Sequence, residues 1–169
     1  AHVLSSEYGV KLPRKLLVEL SGHVQAFADE QAREVSSAEV WDIFRQVYLR
    51  EKGVLTILNY WPRPQADDPN VIQGEVQLVC NGEEMRLFAA GNGPIAAFVH
   101  AIRQLPVVPE FTLTEYEEDA IGASADAEAI TYVRLTDAGD GNHYGIGFGA
   151  NIDQAAVRAI VSSVNRMLA

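Results

Sequence analysis

Apolar residues recur at helical spacing in the first part of the chain. They mark one helical face between residues 11 and 28, and Pro13 lies near the helix start, where its missing N–H costs little. A second helix is predicted to begin at Ser36 or Ser37, because either serine can cap it and Glu39 lies near the reciprocal capping position. Two short helices with bulky apolar faces do not fold alone, so we expect them to pack on each other and on another part of the chain.

From about Gly53 the apolar period changes to two residues, which is typical of strands. Three strands and then a helix are predicted, at residues 55–61, 71–80, 84–90 and 95–105. Pro62 and Pro64 are expected to close the first strand, and Asn81-Gly82 is a strong signal for a tight hairpin turn between the next two. We expect the segment Gly91-Asn92-Gly93-Pro94 to break the third strand and lead into the helix.

The same order of elements repeats in the rest of the chain. Strands are predicted at residues 111–119, 127–136 and 143–148, and a helix at 152–168. The glycines of Gly145-Ile146-Gly147-Phe148-Gly149 are expected to break the last strand. The sequence therefore predicts an α+β fold of tandem βββα units, which form antiparallel sheets with helices on one face. We expect a helical subdomain at 1–50 and the units within 51–169, at about 53–106 and 110–169.

Charge and composition exclude several classes of function. The 169 residues include 23 acidic and 13 basic ones, and the formal net charge of −10 argues against nucleic acid or an anionic membrane as a partner. The longest apolar runs, such as residues 94–99, fall far short of the roughly 20 residues that a membrane span needs, and no signal peptide pattern opens the chain. The single cysteine, Cys80, lies in an alternating stretch, so we interpret it as a core residue in a reducing, cytoplasmic setting.

Motifs for catalysis and for metal binding are absent from the sequence. The four histidines do not show the paired spacing of a zinc site, and there is no GxSxG, Walker or CxxC motif. We therefore predict no catalytic residue, no metal ligand and no cofactor for this chain, which is not expected to be an enzyme by itself.

Two glycine-rich turns and one run of small residues are the candidate binding features. Glycines at the strand-to-helix turn 91–94 permit close approach of a ligand and leave helix N–H groups for an anion such as a carboxylate, but a plain tight turn explains them equally well. Residues 147–151 form the matching turn of the second unit, and the two turns would face each other across a pseudo-twofold interface. The acidic stretch 115–119 is typical of a solvated edge, whereas the small residues at 120–127 permit either close packing or a small apolar ligand.

Three segments, residues 91–102, 116–127 and 144–149, resemble the allosteric domain of 2-isopropylmalate synthases. Residues 8–20 are similar to the helical linker subdomain that precedes this domain, so the resemblance extends over nearly the whole chain. The chain departs from the family in having Glu118-Asp119-Ala120, where relatives often show Glu-His-Ala, and Ala150, where they commonly have proline.

The resemblance implies a leucine-sensing regulatory region that has been separated from its catalytic barrel. The parent enzyme of such a region is an acyltransferase that condenses acetyl-CoA with 2-oxoisovalerate in a barrel dependent on a divalent metal; leucine inhibits it, and it forms a homodimer. By motif, the implied leucine-binding residues are Asn92, Gly93, Pro94, Ile95, Ala96, Tyr116, Ala120, Ala127, Ala150 and Ile152. Two alternatives remain open: the isoleucine-sensing domain of a citramalate synthase, and a dimerisation module whose glycine turns are only structural.

Overall fold

The computed structural model describes residues 2–122 and 127–169. Three helices come first: α1 (His2–Tyr8), α2 (Arg14–Gln31) and α3 (Ser37–Tyr48). The first βββα unit contains β1 (Leu55–Pro64), β2 (Ile72–Cys80), β3 (Glu83–Gly91) and α4 (Pro94–Ile102). The second contains β4 (Phe111–Ile121), β5 (Glu128–Asp137), β6 (Asn142–Gly149) and α5 (Ile152–Leu168). Residues 123–126 of the small-residue run lie outside the described residues.

The two units have the same topology, which confirms the α+β fold with tandem βββα units. Each forms a three-stranded antiparallel sheet, in the order β1-β2-β3 and β4-β5-β6. The first strand of each unit also carries a register irregularity at the same place, between Ile57 and Asn59 in β1 and between Leu113 and Glu115 in β4. A bulge repeated at equivalent positions supports an internal duplication.

The turn between β2 and β3 has the predicted hairpin geometry. Asn81 and Gly82 have φ values of 50° and 82°, so both central residues are left-handed, as a type I′ turn requires. Pro62 does not close β1, because the strand continues through it, but Pro64 is the last residue of the strand, as predicted. β1 is an edge strand of its sheet, where a residue without an N–H is tolerated.

One hydrophobic core lies between the two βββα units. It includes buried residues from both sheets and from both unit helices, among them Leu55, Val76, Phe98, Val133 and Ile160. Because β5 alternates, Val133 and Leu135 join this core while Ile130 and Tyr132 join another one on the opposite face of the sheet.

The second core joins the helical part, α1–α3, to the outer face of the second sheet. Leu16 of α2 and Phe44 of α3 are buried there with Ile130 of β5 and Ile146 of β6. The helices therefore pack on each other and on another body, as expected from their apolar faces. Since the helical part shares a core with the second sheet, the domain boundary near residue 50 stays a prediction.

The predicted cap of α3 is confirmed. The Ser36 hydroxyl accepts a hydrogen bond from the Glu39 N–H, and the Glu39 carboxylate accepts one from the Ser36 N–H, each at 3.2 Å. Arg33 adds two bonds to the same carboxylate at 2.8 and 2.9 Å. This reciprocal arrangement satisfies N–H groups that the first turn of a helix cannot pair internally.

The predicted break at the glycines of β6 is wrong, because the strand continues through them to Gly149. Gly145, Gly147 and Gly149 alternate along one face, and α5 lies directly on that face. A Cβ at Gly147 would stand 2.2 Å from the Ala155 carbonyl oxygen, and one at Gly145 would stand 2.3 Å from that of Ala159. The glycines therefore serve close helix–strand packing.

Three helix assignments also need correction. The helix predicted at 11–28 runs from Arg14 to Gln31, with Pro13 preceding it, and the short helix α1 was not predicted. The helix predicted at 95–105 runs from Pro94 only to Ile102. No helix in residues 2–122 and 127–169 combines the length and the apolar character needed to cross a membrane.

Candidate functional site

An open cavity of about 810 Å³ lies where the end of β4, the start of β5 and the first turn of α5 meet. Its lining consists of four alanines, three carboxylates, one isoleucine and one amide: Glu118, Asp119, Ala120, Ala127, Ala129, Ala150, Asn151, Ile152 and Asp153. We call it the β4–α5 cavity. Four residues that the family resemblance implied, one in β4, one before β5 and two at the start of α5, are brought together here.

The chemistry of the lining is divided between apolar and negative groups. Ala120, Ala127, Ala129 and Ala150 provide small apolar surfaces, while the three carboxylates supply negative charge. A cavity of this kind fits a small ligand that combines a short apolar group with a positive charge.

The start of α5 is capped by its own side chains. The Asn151 side-chain oxygen accepts a hydrogen bond from the Gln154 N–H at 2.9 Å, and the Gln154 side chain accepts one from the Ala150 N–H at 2.7 Å. These two backbone donors at the second glycine turn are therefore already paired.

The start of α4 differs from that of α5. Gly93 is its N-cap residue, Pro94 has no N–H, and no side chain in the described part of the protein caps the helix. The first-turn N–H groups of Ile95 and Ala96 are therefore left without a cap, an arrangement that favours an anion. Of the two glycine turns, only that of α4 has the uncapped form among the described residues.

The two glycines of the α4 turn have different roles. A Cβ at Gly91 would lie 2.6 Å from the Ala97 nitrogen, so packing requires a glycine there. A Cβ at Gly93 would have no described atom within 4 Å, and the φ of −167° is extended backbone that any residue adopts. Packing therefore explains Gly91 and leaves Gly93 for another explanation, such as close approach of a ligand.

Tyr60 and Asp153 connect the α4 turn with the β4–α5 cavity. The Tyr60 hydroxyl donates to the carbonyl oxygen of Pro94. Burial, followed by the nearby Asp153 carboxylate, raises the pKa of Tyr60 to about 12. Asp153 also lines the β4–α5 cavity, so it is the residue common to the cavity and to the surroundings of Tyr60.

Tyr116 lies beside the cavity rather than in its lining. Its hydroxyl donates to a Glu118 carboxylate oxygen at 2.9 Å, and Glu118 does line the cavity. Burial raises the pKa of Tyr116, and the Glu118 bond and the Asp153 charge raise it further. Both tyrosines therefore stay protonated and act as hydrogen-bond donors.

The structure groups the ten implied residues in three ways. Ala120, Ala127, Ala150 and Ile152 line the cavity, and Tyr116 reaches it through Glu118. Residues 92–96 lie at the start of α4, outside the lining. The ligand-binding role of all ten stays a prediction.

Sequence reasoning missed Tyr60, Ala129 and Asp153. Tyr60 sits in an ordinary strand pattern, and Asp153 looks like a common first-turn residue of a helix. Glu118 was interpreted as part of a solvated edge. In the described part of the chain, no three or more His, Cys, Asp or Glu side chains form a group that could hold a metal ion.

Comparison with known proteins identifies the domain. The model of a family described as the LeuA allosteric (dimerisation) domain matches residues 34–168. The chain belongs to this family. The match begins before α3, so it includes part of the helical segment as well as both βββα units of the LeuA allosteric domain.

Relatives of the chain are named 2-isopropylmalate synthase. The protein of Ralstonia pickettii (strain 12J) is 36% identical over 175 residues, which cover 100% of this chain and 29% of the relative. That of Thermobifida fusca (strain YX) is 36% identical over 167 residues, or 98% of this chain and 28% of the relative. That of Mycobacterium leprae (strain TN) is 30% identical over 168 residues, or 99% and 27%. The chain therefore spans less than a third of the length of these relatives.

Proposed function

We propose that this LeuA allosteric domain is the leucine-sensing regulatory region of a 2-isopropylmalate synthase. The observation that carries the proposal is the uncapped start of α4, linked through Tyr60 and Asp153 to an alanine-lined cavity with carboxylates. Together these features offer N–H donors for the carboxylate of a branched-chain amino acid, carboxylates for its ammonium group and an apolar surface for its alkyl side chain.

The proposed ligand lies along Tyr60 and Asp153. Its carboxylate accepts hydrogen bonds from the first-turn N–H groups of α4, where the helix dipole favours negative charge. Its ammonium group faces the carboxylates of Asp153 and Glu118, and its alkyl group packs among the alanines of the cavity.

The activity of the whole protein is part of the same proposal. The relatives' name supports a 2-isopropylmalate synthase. The family resemblance then implies an acyltransferase that condenses acetyl-CoA with 2-oxoisovalerate in a metal-dependent barrel and is inhibited by leucine. The family description supports a homodimer. A cytoplasmic location is proposed because the relatives are biosynthetic enzymes.

A dimerisation module that binds no ligand is the second candidate. It is favoured because the family is described as a dimerisation domain as well as an allosteric one. Under this hypothesis the α4 turn is only structural. The uncapped first-turn N–H groups of α4 favour the sensor, because they leave donors for a ligand carboxylate.

Isothermal titration of the protein with leucine, isoleucine and valine tests the proposal, with Gly93→Asp as the key variant. Aspartate is a favourable N-cap residue, so its own carboxylate would take the N–H groups of α4 and repel a ligand carboxylate. We expect leucine affinity to fall by about tenfold or more, since hydrogen bonds to a charged group contribute about 1.5–3 kcal/mol. Stability and the dimer should be retained.

Gly93→Ala is the matched control, because it adds a Cβ into open space without supplying a cap. It should bind leucine more tightly than Gly93→Asp does. Absence of saturable binding of any branched-chain amino acid to the natural protein would favour the dimerisation module. A preference for isoleucine would instead favour a citramalate synthase.

A further inference from the structure

Helix α5 contacts the candidate site at one end and the helical part at the other. Its first residues, Ile152 and Asp153, line the β4–α5 cavity. Near its other end, Asn165 and Arg166 bond to α2 and to the connection between α3 and β1. We call these two residues the C-terminal clamp. The helix has 17 residues and is therefore about 25 Å long.

One carboxylate oxygen of Glu19 joins three helices. It accepts a hydrogen bond from the Tyr48 hydroxyl of α3 at 3.0 Å and one from the Arg166 guanidinium of α5 at 3.2 Å. The same guanidinium donates to the Tyr144 carbonyl of β6 at 2.7 Å and lies over the ring of Tyr48. Arg166 and Glu19 side chains are only 17% and 28% exposed, so solvent screens this pair less than a surface one.

Asn165 fixes the connection that leaves the helical part. Its side-chain nitrogen donates to the carbonyl oxygens of Arg50 and Leu55 at 2.7 and 2.9 Å, and its oxygen accepts from the Leu55 N–H at 3.0 Å. The residue is only 4% exposed, so these bonds form in a nearly dry environment. The position of the α3–β1 connection therefore depends on the position of α5.

Helix α5 packs closely on β6. Gly145 and Gly147 let the helix backbone approach the strand so closely that no Cβ fits between them. Such a contact has no flexible side chains that could absorb a displacement of the helix, since packed interiors are not continuously deformable.

We propose that α5 transmits ligand occupancy from its first turn to the helical part, and that Glu19, Asn165 and Arg166 are the positioning residues of this coupling. The inference rests on the proposed function, because it requires a ligand at the start of α5. Leucine binding shifts or orders α5, and the C-terminal clamp passes the change to α2, α3 and the α3–β1 connection.

Hydrogen–deuterium exchange of the whole chain, with and without saturating leucine, tests the coupling, and Glu19→Gln is the informative variant. In the natural protein we expect leucine to slow exchange in α2 and α3 by about fivefold or more, the lower end of typical allosteric coupling. This slowing should exceed that in the β2–β3 hairpin at residues 77–86, which reports global stabilisation.

Glu19→Gln keeps the size of the side chain and removes the charge that Arg166 pairs with. It should bind leucine within about threefold of the natural affinity, yet lose the additional slowing in α2 and α3.

Glu39→Gln is the matched control. Glu39 also belongs to the helical part and pairs with an arginine and a hydroxyl, but its partners are Arg33 and Ser36 rather than α5. It should keep the slowing in α2 and α3. The inference is overturned if leucine binds but Glu19→Gln keeps the slowing, or if Glu39→Gln loses it equally. If titration detects no leucine binding to the natural protein, the proposed function itself fails.

Discussion

At the residue scale, the glycines of β6 lie against the backbone of α5. Gly147 is the most constrained, since a Cβ there would meet the Ala155 carbonyl oxygen at 2.2 Å and the Ala159 nitrogen at 2.4 Å. Backbone atoms cannot move aside as a flexible side chain does. The helix would have to separate from the strand over several residues.

We predict that Gly147→Ala destabilises the protein by at least about 2 kcal/mol, the cost of overpacking a close interface. Urea unfolding followed by circular dichroism measures the change. Gly22→Ala is the control, because Gly22 lies in α2 with no described atom within 4 Å of a Cβ. That variant should gain about 0.5–1 kcal/mol from better helix propensity. Equal effects in the two variants would contradict the close-packing explanation of Gly147.

The different roles of the glycines were beyond sequence reasoning. The sequence shows similar glycine-rich segments at 91–94 and 145–149 and predicts a strand break at both. Only the first is a break, because in β6 the glycines alternate on the face that α5 covers. A period of two among the glycines is the signal that indicates close packing instead of a turn.

At the element scale, α3 shows how a local signal fixes the start of a helix. Hydrogen bonds from the Arg33 side chain, followed by those from the Ser36 N–H and hydroxyl, lower the pKa of Glu39 to about 2 from an ordinary value of 4.5. The charged form is therefore favoured in the folded protein. The stabilisation is fully present above pH 4.5 and is lost as the pH falls towards 2.

We predict that the stability difference between the natural protein and Glu39→Gln is constant above about pH 5 and shrinks as the pH falls below 4.5. Urea midpoints measured at intervals between about pH 3 and pH 7 test this. Glutamine has no carboxyl proton to gain, so the variant supplies the reference at each pH. A difference that grows towards low pH would show that Glu39 is not stabilised in its charged form.

Elements with a local signal were predicted well. The capping box of α3, the Asn81-Gly82 turn and the bounds of α5 at 152–168 all follow from residues adjacent in sequence. Helix α1 was missed because its seven residues are too few to show a period of 3.6. Strand β1 was ended too early because the sequence does not show that it is an edge strand.

At the scale of the whole molecule, the contacts that organise the site and the helical part join distant residues. Tyr60 meets Pro94, 34 residues away, and Asn165 meets Leu55 across 110 residues. Periodicity and turn signals carry no information on such pairs. The family resemblance could imply the cavity residues in β4 and α5, but Tyr60, Asp153 and the C-terminal clamp required the structure.

Asn165 joins the helical part to the rest of the molecule, so its removal should weaken both stability and cooperativity. Asn165→Ala leaves the buried N–H and carbonyl oxygen of Leu55 and the partly buried carbonyl oxygen of Arg50 without this partner. We predict a loss of about 2–4 kcal/mol in the free energy of unfolding.

The two tryptophans allow the loss of cooperativity to be measured. Trp41 lies in α3 and Trp61 in β1. Trp61→Phe therefore leaves Trp41 as the single tryptophan probe, in the helical part. Trp41→Phe leaves Trp61, in the first sheet. In the natural background the two urea transitions should coincide, as for a two-state protein. With Asn165→Ala they should separate, because the α3–β1 connection is no longer held by α5.

Asn151→Ala is the control, because it removes the cap at the other end of α5. It should lower the free energy of unfolding by about 1 kcal/mol and shift both transitions together. Transitions that still coincide in Asn165→Ala would show that the C-terminal clamp contributes stability without coupling the two parts of the molecule.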